Sequence, residues 1–71
     1  MNFNDVNSSS IAAVAYDRPT ATLGIRFHAQ REYRYWPVPE LQYQELLAAD
    51  SLGRFFVSQI RSAGYNVERV R

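Results

Sequence analysis

The hydrophobic positions fall into three short runs suited to strands, followed by two stretches with helical spacing. In residues 22–28, Leu23, Ile25 and Phe27 alternate with Gly24, Arg26 and His28, the period-two pattern of a half-buried strand. Before it, residues 11–16 are small or β-branched and end at Asp17-Arg18-Pro19-Thr20, where Asp and Pro supply turn chemistry. After it, Tyr33 and Tyr35 alternate with Arg34 and Trp36, and Pro37 and Pro39 block continuation. Three antiparallel strands in succession are predicted.

The connection between the second and third runs decides which residues are neighbours. A three-residue loop of Ala29, Gln30 and Arg31 sets Phe27 opposite Tyr33 and Ile25 opposite Tyr35, giving one apolar face. The reverse face then pairs His28 with Glu32, Arg26 with Arg34 and Gly24 with Trp36. A loop of two or four residues puts Phe27 beside Glu32 and Arg34, which burial of that face disfavours. In the first strand Val14 and Tyr16 compete with Ile11, Ala13 and Ala15 for the inner face. A bulge near Ala12 or Ala13 would turn Ile11 and Val14 inward together.

Pro39 suits a first helical position, and Glu40 complements the positive end of the helix dipole. Residues 41–49 read as a helix burying Tyr43, Leu46 and Leu47. Asp50 or Ser51 caps a second helix in which Leu52, Phe56 and Ile60 recur every fourth residue, flanked by Phe55 and Ala63, with Gly64 as the stop. In the tail, which carries Val67 and Val70, Tyr65 is expected to pack back against the second helix or the sheet edge. Residues 1–9, rich in Asn and Ser, read as a flexible lead-in. The expected class is α+β: a three-stranded antiparallel β-meander followed by a two-helix hairpin packed on one face, a single domain over residues 10–71.

Composition narrows the chemistry. At 71 residues, with no cysteine and one histidine, the chain has no disulfide and no thiolate or histidine-cluster metal site. Stability must come from a core rich in its five tyrosines, four phenylalanines and one tryptophan. A net charge of +1 steers nothing at long range, so a polyanion site has to be a local patch. All basic residues are arginine, which reflects either coding bias or a use for guanidinium stacking and bidentate phosphate contacts. The first ten residues lack the basic start and apolar stretch of a signal peptide, and no run nears the ~20 apolar residues of a spanning helix. A cytoplasmic protein without membrane contact is the expectation.

The candidate binding residues are Arg26, Arg34 and Trp36 on the reverse face of the sheet, where an aromatic beside guanidinium groups can stack a base and hold its phosphate. Arg31 and Arg54 are candidate peripheral phosphate contacts. Gly53, beside Arg54 in the first turn of the second helix, is read as a point of close helix approach rather than a phosphate site. Tyr33 and Tyr35 could stack bases, but the register puts them in the core. His28 and Glu32 alone lack the nucleophile, oxyanion donor and pocket of a catalytic site. No catalytic residue, metal ligand or cofactor is expected.

The succession Ser10-Ile11, Tyr16-Asp17, Leu23-Gly24-Ile25-Arg26-Phe27, Tyr33-Arg34-Tyr35, Val38-Pro39, then Leu46 through the Asp50-Ser51-Leu52-Gly53-Arg54-Phe55-Phe56 stretch to Ile60-Arg61 and Tyr65, resembles the KTSC domain. That family is named for its occurrence at the C-terminus of some lysyl-tRNA synthetases and also occurs as small stand-alone bacterial proteins. The resemblance spans roughly residues 8–70. The Tyr33-x-Tyr35 tripeptide is weak by itself; Ser51 to Gly53 with the following aromatic pair is more specific. The synthetase context implies RNA, either tRNA or single-stranded, as a partner. The reading is therefore a small non-enzymatic binding module, monomeric or a weak dimer. The alternative partner is another protein, docked on the same sheet face or on an edge strand.

Overall fold

The computed structural model describes residues 1–71. Five strands form one antiparallel sheet in chain order: β1 (Asn4–Asp5), β2 (Ile11–Asp17), β3 (Thr22–Phe27), β4 (Glu32–Trp36) and β5 (Asn66–Arg69). Between β4 and β5 lie α1 (Glu40–Ala48) and α2 (Leu52–Phe55), the latter continuing through a π-helical stretch, Phe56–Ile60, and a 3-10 turn, Arg61–Ala63, to a left-handed Gly64. The α+β class holds, with the helices on one face of the sheet. The three-stranded meander is corrected to five strands, because β1 and β5 are edges whose own residues stay exposed. They form because β2 and β4 offer unpaired backbone groups, a demand that leaves little apolar periodicity in the edge sequence. Residues 1–9, read as a lead-in, thus contribute a strand.

The β3–β4 connection has the expected three-residue length but begins one residue earlier, at His28-Ala29-Gln30. Gln30 takes the left-handed conformation at φ 60°, the role a glycine commonly fills, and the Phe27 N–H donates to the Arg31 carbonyl at 2.8 Å. The pairing consequently moves by two residues: Leu23 faces Tyr35, Gly24 faces Arg34, Ile25 faces Tyr33 and Arg26 faces Glu32. A two-residue shift keeps every side chain on its face and changes every cross-strand neighbour. In β2 a register shift between Ile11 and Ala13 turns Ile11 and Val14 inward together, both fully buried.

The core joins Ile11, Val14, Leu23, Ile25, Tyr35 and Val38 to Leu46, Phe56 and Ile60 from the helical layer. Phe56 is its aromatic hub, edge-on to Phe27 and to Tyr35 with ring centroids 5.5 Å away in each case. Tyr16 stacks on Tyr43 at 5.0 Å and donates its hydroxyl to the Val38 carbonyl. Leu47, expected to be buried with Leu46, is exposed, since α1 lays only one narrow stripe on the sheet.

Gly24 lies on the opposite, outer face. A Cβ there would come within 2.8 Å of the Phe3 ring and 3.2 Å of the Met1 sulfur, so the N-terminal arm lies directly on this glycine. Gly24→Ala is expected to lift the arm and cost about 1 kcal/mol, the overpacking penalty at its low end. Urea unfolding checks this, and loss of ring-current shifts on Arg26, stacked 3.8 Å from the Phe3 ring centroid, reports the displaced arm.

Candidate functional site

The outer sheet face gathers Arg26, Arg34 and Trp36, as expected, but in a different electrostatic setting. Because Arg26 faces Glu32 rather than Arg34, an ion pair stands where the expected register would set two arginines opposite each other. Glu32 is 5% exposed and accepts from Arg26 Nε at 2.8 Å, with Arg34 Nη2 at 3.6 Å and Arg71 Nη2 at 3.7 Å. The Arg26 hydrogen bond, with the three positive charges, holds the Glu32 carboxyl below its ordinary value despite the opposing effect of burial. One carboxylate therefore serves three guanidiniums, and Arg26 is further covered by Phe3. Glu32 forms no hydrogen bond or ion pair with His28; the His28 ring donates from Nε2 to the Ser8 carbonyl at 2.9 Å.

Trp36 is half-buried and faces Asn66 of β5, not Gly24. With Arg34 it borders a hollow of about 460 Å³ whose other charged walls are Asp17 and Glu68. Charge on this face is balanced, so phosphate binding has little to draw on here.

The uncompensated charge lies on the helix side. Arg31, Arg54, Arg61 and Arg69 form no ion pair, and Arg69 faces Tyr33 across the β4–β5 pairing. Three hollows follow one another there. The first is bordered by Arg54 with Ser9, Ser10, Ser51 and Ser58. It shares Ser10, Gly53 and Val57 with a second hollow containing Arg31, Arg61, Tyr33 and Tyr35. That one shares Phe27 and Arg31 with a third at the sheet edge, bordered by His28 and by Arg26 and Arg71, which are already paired with Glu32. No carboxylate lines any of the three.

Local structure explains the arrangement. The Ser51 side chain caps α2 by accepting from the Arg54 N–H at 3.3 Å, which sets Arg54 in the first turn. Gly53 approaches the Ser10 hydroxyl so closely that a Cβ would stand 2.9 Å from it. The close-approach reading of Gly53 thus fits, with the start of β2 as its neighbour. Tyr35 is in the core and Tyr33 packs against it, matching their reading as core residues. Arg61 and Ser10 are not among the sequence-derived binding residues; Arg54 and Arg61 border hollows that share Ser10, Gly53 and Val57.

The comparisons with known proteins agree on one relationship. The KTSC domain profile matches residues 7–65. A protein of Tsukamurella paurometabola is 44% identical over 50 residues, 70% of this chain and 75% of that one. An uncharacterized protein of Stutzerimonas stutzeri strain A1501 is 37% identical over 65 residues, 92% of each chain. The crystal structure of a KTSC domain protein from Yersinia pestis superposes with a TM-score of 0.92 at 33% identity, covering 99% of this chain and 97% of that one. The Tyr33-x-Tyr35 strand, the Ser51-to-Gly53 cap and the aromatic hub at Phe56 all lie within the matched span, and the chain belongs to the KTSC domain family.

Proposed function

We propose that the protein is a non-enzymatic module that binds single-stranded RNA along its helix-side face, with Arg31, Arg54 and Arg61 as phosphate contacts and Tyr33 as a stacking surface. The observation that carries this reading is a run of adjoining hollows free of carboxylates, two of them bordered only by the unpaired arginines Arg31, Arg54 and Arg61. Unpaired guanidiniums retain their full charge for phosphates, and interleaved aromatic rings accept any base by stacking. Arg26 and Arg34 contribute little, since Glu32 already neutralises them. A principal extent of 27 Å suits an oligonucleotide of about four residues, the lower end of single-strand site sizes.

A second reading follows from the Trp36 hollow, whose mixed charges Arg34, Asp17 and Glu68 favour a polar peptide of another protein over a polyanion.

NMR titration of the labelled protein with a short single-stranded RNA and with a tRNA mixture, at two salt concentrations, tests the first. RNA binding shifts Ser10, Arg31, Gly53, Arg54 and Arg61 and weakens steeply with salt. Absence of shifts at these residues with either RNA, even at low salt, rules the RNA reading out. A salt-insensitive response to a protein ligand centred on Thr22, Arg34 and Trp36 supports the alternative.

A further inference from the structure

Tyr35 is 6% exposed as a whole residue, and its hydroxyl, which has no hydrogen-bond partner within the protein, is reached from the middle hollow of the helix-side face. The ring is packed in the core while the hydroxyl stays accessible from the hollow, so it is free to donate to a molecule seated there. Burial, with the neighbouring Tyr33, pushes the Tyr35 hydroxyl above its ordinary value, against the opposing charge of Arg61. It is therefore a permanent donor near neutral pH.

The other polar groups around it are donors too. Arg31 and Arg61 carry no ion pair, and the Ser10 hydroxyl, beside Gly53, is engaged by no protein group. Phe27, Tyr33 and Phe56 form the apolar wall. The hollow measures about 390 Å³, within the roughly 300–1,000 Å³ of small-molecule pockets and roomy enough for one nucleotide. It is more enclosed than its two neighbours. Two cations with two hydroxyl donors match a dianionic terminal phosphate better than a singly charged phosphodiester, which must also leave the site on both sides.

We propose that this hollow binds a nucleoside phosphomonoester, with Arg31, Arg61 and the Tyr35 hydroxyl on the phosphate and the base along the Tyr33 and Phe27 wall. The inference rests on the RNA reading only for its source of ligand: the phosphomonoester is either the end of an RNA strand or a free nucleotide.

Four probes separate these: 5′-phosphorylated and 5′-hydroxyl tetra-adenylate, adenosine 5′-phosphate, and adenosine. Phosphorylated probes are expected to bind about tenfold tighter than their unphosphorylated counterparts, the increment of one added charge-assisted contact. In Tyr35→Phe that ratio is expected to fall below about threefold, and Arg61→Gln to lower it likewise. Tyr35→Phe removes a hydroxyl with no protein partner, so its melting temperature stays near that of the wild type and the fold is preserved. Equal affinity for both tetra-adenylates overturns the terminal-phosphate site while leaving the RNA reading standing. Binding of adenosine 5′-phosphate but of neither oligonucleotide supports the site and removes RNA as its source. A phosphate preference unchanged in both variants, or no binding by any probe, overturns the proposal.

Discussion

Glu32→Ala is expected to lower the stability of this domain by about 3 kcal/mol, measured by urea unfolding at neutral pH. The wild-type carboxylate is buried beneath Arg26, Arg34 and Arg71, and its removal leaves three guanidiniums facing one another without a counter-ion. The figure stands at the low end for a broken buried pair because the three arginine side chains keep from 38% to 67% exposure, and water screens them. For so short a chain this is a large share of total stability. The residue also ties the tail down: the Glu32 N–H donates to the Arg71 carbonyl, and its own carbonyl accepts from the Val70 N–H, each at 2.8 Å. Those backbone bonds survive the substitution, so β5 stays attached while the charge cluster loosens.

The same carboxylate sets a pH dependence with a definite sign. Its folded-state pKa is lowered from an ordinary value of 4.5, so the native state favours the ionised form. The stabilisation is fully present above the unfolded-state value and is lost as pH falls through the lower folded-state value. Wild-type stability should decline below about pH 4.5, whereas Glu32→Gln should lack that component of the decline. Parallel wild-type and Glu32→Gln curves between pH 5 and pH 2 would refute the assignment.

The double variant Arg31→Ala with Arg61→Ala is expected to reduce affinity for single-stranded RNA about a hundredfold, on the order of 1.5 kcal/mol for each charge-assisted contact. Its salt dependence should flatten as well, the slope of log affinity against log salt falling by about 0.7 for each arginine removed. Both side chains are exposed and make no ion pair, so thermal stability should change little. Arg34→Ala behaves in the opposite way, costing stability through Glu32 and leaving RNA affinity nearly intact. A fluorescence anisotropy titration at several salt concentrations distinguishes the two. Equal losses of RNA affinity in the double variant and in Arg34→Ala would contradict the assignment of the binding face.

The outer face was the natural suspect because alternation alone puts Arg26, Arg34 and Trp36 together, and the structure keeps them there. Their availability depended instead on register, which moved by two residues when Gln30 accepted a left-handed conformation. No local propensity announces that choice, since glutamine rarely occupies that region. The cost is met by the pairing it permits, with Arg26 against a buried Glu32.

Period-two alternation in β3 and β4 and the every-fourth spacing of Phe56 and Ile60 are properties of neighbouring residues, so side-chain faces, helix limits and the core tyrosine were legible from the chain alone. Edge strands β1 and β5 answer to backbone groups on distant strands, and the Glu32 cluster joins Arg26 to Arg71 across 45 positions of sequence; such pairings exist only once the sheet has closed. Local patterning thus assigned each residue to a side, and long-range packing settled which arginines were consumed by a carboxylate and which were left free.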